Sequence, residues 1–257
     1  MIYQIIAYIK FLVRSTNQHG VHSPFVFNFV TRCLYDAKNY DAYGSIYAYR
    51  KALLASNEEF EVTDFGSGSR VFKSQKRLVK KIVKHSGTSL KRSKLFYRLI
   101  SYFHPETVLE LGTSLGIVAH AMACANTQTK IISIEGCPNV ASIAKKQLKK
   151  FNIENADVQV GTFKDRIPKL NQNTFDLVFF DGHHDKQATI DYFNLLLPKA
   201  NNESVFVFDD IYWSKGMTDA WEHIKIHENV TVSIDCFHLG FVFFRKEQTK
   251  EHFKIRL

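Results

Sequence analysis

The chain has 257 residues, 45% of them hydrophobic, enough to enclose one sizeable core and too few for two full domains. Its formal charge of +9 is local, because residues 70–98 hold eleven Lys or Arg and no acid, leaving 23 basic against 25 acidic side chains elsewhere. The four cysteines, Cys33, Cys124, Cys137 and Cys236, lack C-x-x-C spacing, which excludes a zinc knuckle or a disulfide framework and suits a reducing cytoplasm.

Residues 1–13 are apolar but too short to span a bilayer, and they lack the basic start and small-residue cleavage site of an export signal. Ile2, Ile5, Ile6, Ile9 and Leu12 recur at helical spacing and predict a helix that packs on the body by that side; a seat at a membrane surface is the alternative. His19 and His22 have no third ligand nearby and do not make a metal site. Ser23 followed by Pro24 is a helix start, since Ser caps the first turn and Pro tolerates its missing donor. Tyr35, Tyr40, Tyr43, Tyr47 and Tyr49 read as packing aromatics, with a substrate-pocket lining as the functional alternative.

Residues 62–68 imitate a strand, acid and glycine turn, but the basic run follows where the next strand should stand. Gly66 to Ser69 therefore read as a joint or small-ligand loop. The basic segment 70–98 is either a solvated helical face or a recruiting surface for an acidic substrate, an anionic membrane or RNA. Residues 1–105 as a whole are taken as a helical extension or lid, and 106–257 as the catalytic domain.

From Thr107 onward apolar strands are predicted at 108–112, 130–135, 156–161, 175–181 and 204–209, with helical patterns between them, which is α/β order around a parallel sheet. Segments 230–235 and 239–245 are joined by too few residues for a helical crossover and must form an antiparallel hairpin. The first strand runs into Glu110, Gly112, Thr113, Ser114 and Gly116, a glycine turn at a strand's carboxyl edge, where open α/β sheets hold ligands. Glu135 ends the second strand, placed to accept hydrogen bonds from ribose hydroxyls. There is neither G-x-G-x-x-G nor a Gly-Lys-Ser/Thr phosphate loop. Cys137, beside Pro138, reads as a bystander thiol rather than a nucleophile.

The pattern Glu110-x-Gly112-x-x-x-Gly116 resembles motif I of the class I S-adenosylmethionine (SAM) dependent methyltransferases. Five parallel strands ended by an antiparallel pair is similar to their whole Rossmann-like sheet, so the resemblance covers roughly 150 residues. It implies SAM as cofactor and, by position, adenine contacts from Gly161, Thr162 and Phe163.

The fourth and fifth strands deliver Asp181 and the pair Asp209 and Asp210 to neighbouring ends. Three carboxylates brought together repel one another unless a cation sits among them, and hard oxygen ligands favour Mg²⁺ or a similar ion. This pair of strand ends resembles the metal-dependent O-methyltransferases of the catechol, caffeoyl-CoA and macrocin types. The resemblance implies Asp181, Asp209 and Asp210 as metal ligands, Asp181 also lying beside the cofactor, and a hydroxyl acceptor such as a catechol, a sugar or a lipid-linked alcohol. Where the catechol enzymes place a Lys base this chain has His184, with His183 as its rival. The expectation is a cytoplasmic O-methyltransferase, peripheral at a membrane as a variant and compatible with a homodimer. RNA methylation through 70–98 and a non-catalytic SAM-binding module are the alternatives; Asp181-Gly-His-His in place of the Asn/Asp-Pro-Pro-Tyr/Phe motif of base-amine methylation argues against the former.

Overall fold

The computed structural model describes residues 2–63 and 76–257, and the chain divides into two compact units, Asp36–Lys169 and Met1–Tyr35 with Leu170–Leu257. Residues 1–105 are thus shared between the units rather than forming one extension.

The chain opens with α1 (Ile2–Arg14) and α2 (Pro24–Phe29), the latter capped as expected by Ser23, whose Oγ accepts the Val26 amide at 3.4 Å. The predicted face of α1 is reversed. Ala7 and Phe11 are buried, whereas Ile2, Ile5, Ile6, Ile9 and Leu12 all face outward. Two apolar sides compete on this helix. The one that meets partners is the aromatic side, where Tyr8 and Phe11 lie 4.8 and 5.5 Å from the Phe237 ring.

The unit Asp36–Lys169 begins with α3 (Ala42–Leu54), followed by the short antiparallel pair β1 (Glu59–Glu61) and β2 (Lys76–Leu78), α4 (Val79–His85) and α5 (Leu90–Phe103). Gly66 to Ser69 and the start of the basic run lie outside the described residues. Within its described part, Lys94 lies over the Tyr43 ring at 4.5 Å and Arg98 donates to the Tyr43 hydroxyl at 3.4 Å, so some of these charges serve packing. Then come β3 (Thr107–Leu111), α6 (Ile117–Ala123), β4 (Lys130–Glu135), α7 (Pro138–Lys150), β5 (Ala156–Val160) and the single turn α8 (Phe163–Arg166). β3, β4 and β5 pair in parallel in that order. The near-continuous apolar runs of β3 and β4 suit a sheet covered on both faces, and these two strands are buried along most of their length.

The other unit resumes with β6 (Leu177–Phe180), α9 (Lys186–Leu196), β7 (Val205–Asp209), α10 (Lys215–Lys225), β8 (Val232–Asp235), β9 (Leu239–Phe243) and β10 (Glu251–Lys254). β6 and β7 are parallel, β7 and β8 each pair antiparallel to β9, and β10 pairs parallel to β8. The predicted hairpin of β8 and β9 is present. β10 was not legible, because its charged, largely exposed residues carry none of the apolar run that marks the other strands.

Candidate active site

The glycine turn is built from buried polar groups that satisfy one another. Glu110 and Ser133 stand in paired register on β3 and β4, and the Ser133 hydroxyl donates to Glu110 Oε2. With that hydrogen committed, the Thr113 hydroxyl donates to Ser133 Oγ at 2.5 Å. All three side chains are buried. Burial pushes the Glu110 carboxyl up to about 8, against the Ser133 hydrogen bond that lowers it and with the nearby Glu135 charge that raises it further. Glu110 therefore faces the interior of the sheet, where it holds Thr113 and the turn.

Gly112, Ser114 and Gly116 all have left-handed φ, at 107°, 48° and 73°. The Gly112 and Thr113 amides donate to the Ile134 carbonyl at 2.9 and 3.3 Å, fastening the turn to β4. Glu135 closes it: one carboxylate oxygen accepts the Ser114 amide at 2.9 Å and the other the Cys137 amide at 3.0 Å. The Tyr49 hydroxyl donates to the Leu115 carbonyl at 2.9 Å, and its ring stacks on buried His120 at 4.2 Å. A Cβ on Gly116 would lie 2.8 Å from that hydroxyl oxygen. Tyr49 is thus a buried brace, not a substrate-pocket lining. Tyr40, Tyr43 and Tyr97 form a second aromatic cluster with centroids 5.1–5.4 Å apart, and Tyr47 is exposed.

At the third strand end Gly161 has φ 148° and its amide donates to the Glu135 carbonyl at 2.9 Å. Thr162 caps α8 by accepting the Asp165 amide at 3.2 Å, and Phe163 is buried. The Cys137 thiol is buried and accepts the Thr63 amide at 3.3 Å, the environment of a structural cysteine.

In the other unit, the register pairs Phe180 of β6 with Phe208 of β7, so Asp181 and Asp209 each stand one residue beyond that pair. Asp181 Oδ1 lies 3.7 Å from His184 Nε2. Asp209 is buried and its Oδ1 accepts the Asp210 amide at 2.6 Å, an amide that also faces the His238 carbonyl at 2.8 Å. Asp210 has φ 51°, which redirects the chain after β7. Among the described residues no three His, Cys, Asp or Glu side chains group to hold a metal ion.

His183 and His184 follow Asp181 with φ 68° and 39°, uncommon for residues with side chains and typical of functional loops. His183 Nδ1 lies 3.3 Å from the Tyr192 hydroxyl, while the His184 ring sits 6.3 Å from the Trp213 ring. Ser133 and Trp213 are the contributors that the sequence pattern did not single out. A hydroxyl inside the apolar run 131–134 was the one available signal for Ser133.

Residues 109–211 match the methyltransferase domain family. A curated relative, the catechol O-methyltransferase of Mycobacterium tuberculosis, is 28% identical over 131 residues, covering 50% of this chain and 59% of the relative. Two solved structures share the fold. One is an SAH-bound methyltransferase from Podospora anserina (TM-score 0.60, 12% identity, 88% of this chain and 97% of that one). The other is the O-methyltransferase from Bacillus cereus in complex with SAH (TM-score 0.55, 16% identity, 80% and 92%).

The α/β fold is that of the SAM-dependent methyltransferases, and residues 109–211, which include the glycine turn after β3, are similar to the methyltransferase domain family. The chain's similarity in sequence runs toward the O-methyltransferases, the catechol enzyme among them.

Proposed function

We propose that the chain methylates a hydroxyl of a small molecule, with His184 accepting the hydroxyl proton and Asp181 holding the imidazolium that results. The observation that carries this reading is the Asp181–His184 contact of 3.7 Å on a loop of left-handed residues directly after β6. A carboxylate that orients an imidazole and stabilises its charge is the pairing general-base chemistry requires. Bound SAM supplies an electrophilic methyl group, so the protein's own task is to position the acceptor and remove its proton. Glu135 and the amides around Gly112 to Gly116 suit the cofactor: a carboxylate is tolerable beside a sulfonium, and the left-handed backbone permits close approach. The name of the Mycobacterium relative favours a catechol-like acceptor.

Metal assistance by Asp181, Asp209 and Asp210 follows from the family resemblance. Their side chains as placed do not offer a three-ligand set, so no step is routed through a metal. The test is transfer of labelled methyl from SAM to a panel of catechols, sugars and small-molecule extracts, with and without EDTA. Wild-type protein should label a hydroxyl compound in EDTA, and His184→Ala should slow transfer about 100-fold or more while leaving SAM affinity intact. Unchanged rates in that variant would remove His184 as base. Activity lost in EDTA and restored by Mg²⁺ would put the three carboxylates back as a metal site.

A further inference from the structure

Helix α1 has an apolar face that the protein leaves uncovered. Ile2 and Val13 are 77% and 81% exposed, Ile5 and Ile9 55% and 56%, and Ile6 and Leu12 are exposed beside them. At 100° per residue these six aliphatic side chains fill one continuous stripe, and Ala7 and Phe11 lie on the opposite side. The helix is not loosely attached. Its inner side meets Phe237, and the chain just after it is tied to β10, the Thr16 amide donating to the Lys254 carbonyl at 2.8 Å and the Arg256 amide to Thr16 at 3.1 Å. The aliphatic stripe is therefore held outward by the packing of the other face.

The flanks of the stripe indicate its occupant. Tyr3 and Tyr8 border it on either side, and the exposed Lys10 and Arg14 lie along the Tyr3 flank. The first acid in the chain is Asp36, so residues 1–35 carry only basic charges. An aliphatic stripe bordered by tyrosines and by cations with long stems is the pattern of a helix lying in a lipid interface: the stripe enters the acyl boundary, the phenols stay at the headgroups, and Lys and Arg reach anionic phosphates. A second protein surface would need only the apolar stripe and gives no reason for the one-sided charge. No helix among the described residues is long and apolar enough to cross a membrane, so α1 lies on the surface rather than spanning it.

We infer that α1 seats this protein on an anionic bilayer surface through Ile2, Ile5, Ile6, Ile9, Leu12 and Val13, with Lys10 and Arg14 contacting headgroup phosphates. The seat is independent of the methyl-transfer reading, but it has a route to the strand ends. Phe237, on which Tyr8 and Phe11 pack, stacks on Tyr212 at 4.8 Å, two residues beyond Asp210.

Flotation of the full chain with vesicles tests it. The protein should float with phosphatidylcholine vesicles that contain phosphatidylglycerol and remain behind with pure phosphatidylcholine. Ile5→Glu combined with Ile9→Glu should lower the bound fraction about tenfold, with the melting temperature unchanged because both positions are exposed. Lys10→Glu combined with Arg14→Glu should weaken binding in the way added salt does. Equal flotation of the double-Glu variant would transfer the binding to the basic segment 70–98 and overturn the proposal. So would failure of wild-type protein to bind either vesicle, or a dimer in solution that Ile5→Glu and Ile9→Glu dissolve without any vesicle binding.

Discussion

Around the glycine turn after β3 the side chains of Glu110, Thr113 and Ser133 are buried and spend their hydrogen bonds on one another; in the loop after β6 Asp181, His183 and His184 are partly exposed, and the two histidines have left-handed backbone. Thr113, Ser133 and Glu110 form a closed chain inside the sheet, and Glu135 anchors two amides. Asp181 and His184 instead meet at 3.7 Å and His183 meets the Tyr192 hydroxyl at 3.3 Å, longer than the 2.9 and 3.0 Å bonds by which Glu135 holds the turn. A cradle for a cofactor gains from rigidity, because ordering it in advance removes that cost from binding. On the proposed reading the loop after β6 moves a proton and needs its imidazole reachable, and the cost there is backbone strain rather than lost solvation. Substitutions in the turn should thus change stability and affinity together, whereas those after β6 should change rate alone.

The largest effect that would break this contrast is at Glu135. Glu135→Ala removes an acceptor from the Ser114 and Cys137 amides as well as from a ribose, so SAM affinity should fall by about 1.5–3 kcal/mol and the melting temperature should fall with it. Calorimetry and thermal unfolding on one preparation decide it. A loss of affinity with no loss of stability would show that the turn holds its shape without Glu135.

Much of this turn was legible beforehand. Apolar runs placed β3 to β7 within two residues at each end, and the glycine turn stands where it was read, at the carboxyl end of β3. What failed to show has physical reasons. The bond from Ser133 to Glu110 was hidden because sequence does not reveal that the two stand opposite in register. The faces of α1 were exchanged because five aliphatic residues outweigh Ala7 and Phe11 in any hydrophobic pattern, and the pattern carries no information on which face finds a partner. Carboxylates were correctly placed at adjacent strand ends, yet the φ of 51° at Asp210 and the inward bond of Asp209 are decided by the chain beyond β7.

The buried network also has a pH signature of unusual sign. Glu110 titrates at about 8 in the fold against an ordinary value of 4.5, so the folded state holds the extra proton and stability falls as pH rises from 4.5 to 8. His120, depressed by burial to about 4 from 6.5, acts oppositely: its contribution is present above 6.5 and is lost as pH falls toward 4. From these two groups stability should be nearly level between pH 4.5 and 6.5 and decline from 6.5 to 8, by at most about 1.4 kcal/mol per pH unit. Glu110→Gln should remove the decline and leave a rise from pH 4 to a plateau above 6.5. Thermal unfolding across that range reads both curves. A decline that persists in Glu110→Gln would place its origin elsewhere.

The smallest effect separates two causes at one position. Gly116→Ala should destabilise because φ 73° costs a residue with a side chain about 1–2 kcal/mol, and because the new Cβ meets the Tyr49 hydroxyl at 2.8 Å. Tyr49→Phe alone should cost about 1 kcal/mol, the bond to the Leu115 carbonyl, with the ring still stacked on His120. Combined, the two should cost less than their sum, since Phe removes the oxygen that Ala strikes, while the backbone strain remains in either background. The shortfall should be about 0.5–1 kcal/mol in a denaturant titration. Strict additivity would mean that the turn shifts to accommodate the Cβ without involving Tyr49, and the brace from α3 would then be a contact the cradle does not need.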